Sequence, residues 1–172
     1  TPEFLDYNNL KQNTIPIRIG LEEVGYAINT SLDVDVVLVT DLSGSMDQCA
    51  LNCGSGGHPI KLIDLAVDAN KEFIDIILNI SDNRVGLVGY ETVAKPEDYH
   101  PLSMNKVSLK TEVDSWKPGG GTSICGGINR AVQGFVEESN SNKARSIVIL
   151  SDGKANVKCN QQGTGSASQD AI

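Results

Sequence analysis

The sequence predicts an α/β fold, a doubly wound, mostly parallel central sheet flanked by helices, and two observations carry the prediction. The runs Val34-Asp35-Val36-Val37-Leu38-Val39-Thr40, Arg84-Val85-Gly86-Leu87-Val88-Gly89-Tyr90 and Ala144-Arg145-Ser146-Ile147-Val148-Ile149-Leu150 are rich in β-branched residues and carry few polar interruptions. That is the pattern of strands buried on both faces. Between them lie segments whose apolar residues recur at steps of three and four, the period of a helix with one buried face. Strands alternating with amphipathic helices give a parallel sheet with right-handed crossovers. No internal repeat competes with that reading.

In chain order, residues 1–14 are a polar lead-in, and Ile15-Pro16-Ile17-Arg18-Ile19-Gly20-Leu21 alternates at period two. Pro16 confines such a strand to an edge or a strand start. The segment belongs either to an edge of the main sheet or to a neighbouring module, so residues 1–32 are set apart as an N-terminal extension and residues 33–172 as the principal domain. After the first buried strand comes a loop, 47–59, with Cys49, Cys53, Gly54, Gly56 and Gly57. A connection of that length is a shaped surface feature rather than a plain linker. Leu62, Ala66, Ala69, Phe73, Ile76 and Ile80 then mark a helix face that Ile63, Val67, Ile74 and Ile77 widen.

The second buried strand is fed by the turn Ser81-Asp82-Asn83, and residues 91–103, with Pro96 and Pro101, read as a hairpin-like excursion with a short edge strand. Leu109, Val113 and Trp116 define a short helix over 107–116, with Trp116 in the core or beneath the glycine turn that follows. Lys117-Pro118-Gly119-Gly120-Gly121 breaks that helix and delivers Thr122 to the start of the next, expected over 123–140 with Ile124, Ile128, Ala131, Val132 and Phe135 as its stripe. The third buried strand ends at Ser151-Asp152-Gly153. The polar stretch 154–168 and a helix-like opening at Gln169-Asp170-Ala171-Ile172 close the sequence.

The chain has 172 residues and a formal net charge of -8. The length suits one domain with a sizeable core. The charge argues against nucleic acid or an anionic membrane as the main partner, and no apolar stretch is long enough to insert into a bilayer. Cys49, Cys53, Cys125 and Cys159 form an even set without zinc-like spacing, which suits disulfides in an oxidising compartment. Cys49 with Cys53 and Cys125 with Cys159 is the local pairing, among the three connectivities that four cysteines allow. Asn29-Thr30-Ser31 and Asn79-Ile80-Ser81 match a glycosylation pattern that is often unused. His58 and His100 fall in polar loops. Gly119 to Gly121 lack the Lys-Ser or Lys-Thr of a phosphate-binding loop.

Chemistry concentrates beyond the strand ends. Asp41, Ser43 and Ser45 follow the first buried strand, Asp152 follows the third, and Thr122 sits in a loop on the same rim. Carboxylate and hydroxyl oxygens are hard ligands of the kind Mg²⁺ accepts. Each residue alone reads as a helix cap or turn residue; their convergence in one register favours a metal.

Asp41-x-Ser43-x-Ser45, a Thr after a glycine-rich turn, and Asp152 in Leu-Ser-Asp-Gly resemble the metal-ion-dependent adhesion site of von Willebrand factor type A domains, over residues 33–153. The resemblance implies that family's Rossmann-like fold. It also implies a Mg²⁺ site, with Mn²⁺ or Ca²⁺ as alternatives, in which Ser43, Ser45 and Thr122 are direct ligands and Asp41 and Asp152 act directly or through water. A partner's Asp or Glu would complete the coordination. The family continues with further helices and two more strands, so residues 33–172 are expected to be a domain truncated at its C-terminus. With all four cysteines on the metal rim, their bridges are expected to shape the binding face.

The function expected is a Mg²⁺-dependent adhesion or protein-interaction module, extracellular or at the cell surface, with no nucleic acid partner and no membrane insertion. A cytoplasmic relative with reduced cysteines is the alternative location. A structural reading makes the chain a subunit or tip component of a surface assembly, its open sheet edge completed by a neighbouring subunit. An enzymatic reading, a metal-assisted hydrolase, lacks a His or Lys in the motif to activate Ser43.

Overall fold

The computed structural model describes residues 33–54, 58–80, 82–139 and 142–159, all within the unit Ser31–Ile172. The strand expected over 15–21, the acceptor pattern at Asn29 and the helix-like opening at 169–172 lie outside the described residues. The strands in chain order are β1 (Val34–Asp41), β2 (Cys49–Leu51), β3 (Ile60–Lys61), β4 (Arg84–Tyr90), β5 (Tyr99–Ser103) and β6 (Ala144–Leu150). Four of them form the central sheet in the order β5-β4-β1-β6. β1 runs parallel to β4 on one side and to β6 on the other, and β5 pairs antiparallel with β4. This is the mostly parallel α/β sheet expected, with β5 as the edge strand of the 91–103 excursion.

Alternation along β1 divides the core between the two faces of the sheet. Val36 and Leu38 join Val85 and Leu87 under α1 (Leu62–Ile77) and α2 (Lys106–Ser115), while Val37 and Val39 join Val88 and Tyr90 under α3 (Ile124–Glu138). Trp116 is buried in the first of these layers. α2 starts where the sequence provides a cap: Asn105 Oδ1 accepts from the Val107 and Ser108 amides at 3.0 and 3.2 Å.

Four readings of the sequence need correction. The core face of α1 is carried by Ile63, Ala66, Asn70 and Ile74, whereas Ile76 and Ile80 face solvent. The helix has apolar residues over more than half its circumference, so periodicity could not select the arc that meets the sheet. Val132 on α3 is likewise exposed, and buried Gly127 and Gly134 take the sheet-facing positions beside Ala131 and Phe135. β6 is largely exposed, with Ile149 at 44%, because it lies at the end of the strand order rather than inside it. The loop 47–59 starts at the end of a 3-10 turn, Gly44–Asp47, and carries β2, which pairs antiparallel with β3 just beyond it.

Beneath the apolar layers, Asp35 is fully buried at the start of β1 and pairs in register with Arg84. Arg84 Nε and Nη2 donate to its two oxygens at 2.8 and 2.6 Å, and Ser139 Oγ donates at 2.5 Å. Burial works to raise the Asp35 carboxyl, but the Arg84 bonds, the Ser139 bond and the charge of Lys143 together hold it below the ordinary range. This network fastens the amino ends of the parallel strands, leaving the opposite rim to the loops.

Candidate functional site

β1 leads at its carboxyl end toward α1 on one face, and α3 leads into β6 from the other face. A crevice at the carboxyl ends of such strands is where open α/β sheets place ligands. Asp41, the last residue of β1, is fully buried, and both its oxygens are engaged. The Ser43 amide donates to Oδ1 at 2.8 Å and Ser151 Oγ donates to Oδ2 at 2.7 Å. Ser43 Oγ and Ser45 Oγ share a hydrogen bond of 3.0 Å, and Ser45 Oγ donates to Asp152 Oδ1 at 2.9 Å. The geometry thus joins Asp41, Ser43, Ser45 and Asp152 in one chain, buried at Asp41 and Ser43 and exposed at Asp152.

Thr122 is held beside them by backbone rather than by its side chain. The Gly44 amide donates to the Gly120 carbonyl at 3.1 Å, and the Gly119 amide donates to the Leu42 carbonyl at 2.7 Å, which clamps the glycine turn to the segment after β1. Gly120 has φ +67°, and a β-carbon there would collide with the Glu91 carboxylate, so this turn requires glycine. The Thr122 amide donates to Asn156 Oδ1 at 2.7 Å, and its carbonyl accepts from the Asn156 and Val157 amides at 3.0 and 3.2 Å. The Thr122 side chain is buried and makes no hydrogen bond to the other four candidates among the described residues.

Ser151, Asn156 and Thr92 were missed by sequence reasoning. Ser151 had a signal, since it precedes Asp152 at a strand end. Asn156 and Thr92, whose Oγ1 accepts from the Gly121 amide at 2.8 Å, had none, because their role depends on loops distant in sequence. The disulfides are Cys49–Cys53 and Cys125–Cys159, the local pairing. The second ties the first turn of α3 to the segment that carries Asp152 and Asn156. His58 is exposed, while His100 is half-buried, with its ring nitrogens 2.8 Å from the Pro101 carbonyl and 3.1 Å from Ser108 Oγ.

Among the described residues no group of three or more His, Cys, Asp or Glu side chains is placed to hold a metal. The candidate set is instead two carboxylates with hydroxyls. No helix among the described residues is long and apolar enough to cross a membrane.

A family model of the von Willebrand factor type A domain matches residues 36–154. The chain belongs to that family. The matched stretch of this von Willebrand factor type A domain contains all five candidate residues. No curated protein sequence matches the chain. Among solved structures it is similar to the vWF domain of the type V pili tip protein Mfa5 from Porphyromonas gingivalis, at 24% identity and a TM-score of 0.59, over 72% of this chain and 39% of that one. It is also similar to the PilB minor pilin from Streptococcus sanguinis, at 24% identity and a TM-score of 0.61, over 75% and 32%. The adhesive tip pilin GBS104 from Group B Streptococcus agalactiae follows at 17% and 0.60, over 80% and 51%. At these identities the likeness is one of fold, and the chain spans well under two thirds of each neighbour.

Proposed function

We propose that this von Willebrand factor type A domain is a Mg²⁺-dependent adhesion or protein-interaction module that captures an acidic side chain of its partner. The observation that carries the reading is the chain of oxygens Asp41–Ser43–Ser45–Asp152 at the rim, with Thr122 clamped beside it. The donor set fits the ion: carboxylate and hydroxyl oxygens suit hard divalent cations, with Mn²⁺ or Ca²⁺ as substitutes. Ser43, Ser45 and Thr122 would hold it directly, with Asp41 and Asp152 direct or through water. When bound, the ion would supply the positive charge that lets an acidic domain attract a carboxylate. Asp41, held on both oxygens, fixes the Ser43 amide and the Ser151 hydroxyl, so the rim is organised before any ligand arrives.

We read the protein as a binding module rather than an enzyme. Ser43 Oγ shares its hydrogen bond with Ser45, not with a base that would activate it. The two disulfides fit an extracellular or surface location, and the Mfa5, PilB and GBS104 neighbours are pilus proteins by their names. The exposed β6 favours the second reading, a subunit of a surface assembly in which a neighbour's strand completes the sheet. Sedimentation of the full chain as a monomer over a wide concentration range would argue against that second reading.

Titration calorimetry tests the first. Wild type is expected to bind Mg²⁺, and Asp41→Asn to lose that binding while keeping its circular dichroism spectrum. Equal Mg²⁺ affinity in the two proteins would overturn the reading.

A further inference from the structure

Next to the rim lies a groove of about 450 Å³ between the loop after β4, one face of α3 and the segment beyond Asn156. Its polar lining is Thr92, Ser123, Asn129, Arg130, Gln133 and Lys158, and no Asp or Glu lines it. In a chain of net charge -8 that is a local reversal of sign.

We propose that this groove is an anionic subsite that takes a second carboxylate of the partner, beside the rim that takes the first. The inference deepens the carboxylate-capturing reading of the rim and rests on it. Arg130 is held in place by an aromatic ring, its guanidinium stacking 3.5 Å over Tyr99. Its Nη1 is buried and ion-paired with Glu137 Oε2 at 3.6 Å, which anchors the guanidinium at the groove wall. Glu137 also accepts from Gln133 Nε2 at 2.7 Å through Oε1. Lys158 is exposed and makes no ion pair among the described residues. A guanidinium and an exposed ammonium lining one groove without an acidic neighbour in that lining match a carboxylate better than any neutral group.

The groove is continuous with the rim. Ser123 follows Thr122, and Thr92 accepts from the Gly121 amide. The far wall is fixed by the Asn156 bonds to Thr122 and by the Cys125–Cys159 bridge, with Asn129 Nδ2 3.4 and 3.2 Å from its sulfurs. A partner segment lying on the rim therefore meets Arg130 and Lys158 next.

The test uses phage-displayed hexapeptides with one fixed Asp and the other positions randomised, panned on the full chain in Mg²⁺. The strongest binder and its version with the second acid changed to Gln are then measured by fluorescence polarisation. Selection of a second Asp or Glu is expected. Arg130→Gln and the surface variant Lys158→Gln are each expected to bind the two-acid peptide about tenfold more weakly, the scale of a charge-assisted hydrogen bond. Their affinity for the one-acid peptide should not change. Wild-type affinity of both variants for the two-acid peptide, or no selection of a second acid, overturns the proposal. Asp41→Asn separates the two sites: loss of both peptides supports the rim reading, whereas undiminished binding that still depends on Arg130 and Lys158 defeats the rim reading and leaves the groove standing.

Discussion

Single buried polar residues govern the inner part of this domain. Asn70 on α1 donates to Thr40 Oγ1 at 3.0 Å and to the Ala66 carbonyl at 2.8 Å, bonding the helix to β1 just below the rim. Removing one partner strands the other in a dry environment, so Asn70→Ala is expected to lose about 1–3 kcal/mol in urea unfolding. The double variant Asn70→Leu with Thr40→Val should recover part of that loss, because it leaves no orphan. Asp35 makes a separate prediction. Its folded carboxyl is held below 3.8, so its contribution is fully present above that value and is lost as pH falls through the lower folded value. Thermal melts from pH 5 to pH 2 should show a steepening loss of stability below about pH 4, and Asp35→Asn should flatten that slope. Neither residue was legible as structural in the sequence: Asp35 interrupts an apolar run and Asn70 an amphipathic helix, and only their partners give them a role.

At the level of elements, α3 seats on the sheet through Gly127. A β-carbon there would lie 2.6 Å from Tyr90 Cδ1 and 2.8 Å from Val39 Cγ1, so Gly127→Ala must push α3 away from β1 and β4. A destabilisation of about 1–3 kcal/mol by denaturant unfolding is expected, the scale of overpacking in a close-packed core. Because Thr122 and Ser123 precede α3, that variant should also weaken Mg²⁺ binding. The Cys125–Cys159 bridge closes a sequence separation of 34, and in the chain-entropy model its loss costs about 3–4 kcal/mol. The paired Ser variant should therefore melt well below wild type. Cys49–Cys53, with a separation of 4, should matter less. Element types were readable because period two and period 3.6 are set by local geometry. The buried arcs of α1 and α3 were not, since α1 is apolar over more than half its circumference and the buried face of α3 runs through Gly127 and Gly134, which carry no apolar signal.

Over the whole molecule, the sheet divides labour between its two ends. The Asp35–Arg84–Ser139 network fastens the amino ends, and loops from four separated regions meet at the carboxyl ends, joined through backbone bonds and one disulfide. A ligand held only by the assembled rim stabilises the folded state by mass action, about 2.7 kcal/mol at a hundredfold excess over its dissociation constant. Mg²⁺ is therefore expected to raise the melting temperature of wild type and not of Asp41→Asn. A rise of equal size in both would place the ion elsewhere.

The sequence by itself determined the strands of the central sheet, the helices, the α/β class and the rim positions of Asp41, Ser43, Ser45, Thr122 and Asp152. Each of those follows from local periodicity or from a motif's place at the end of a strand. Tertiary structure decided what depends on distant partners: β6 at the edge of the sheet, the pairing of β2 with β3 at the cysteine loop, Ser151 and Asn156 as supports of the rim, and the basic groove beside it. Such features arise where loops far apart in the chain converge, and no pattern within any one of those loops encodes the meeting.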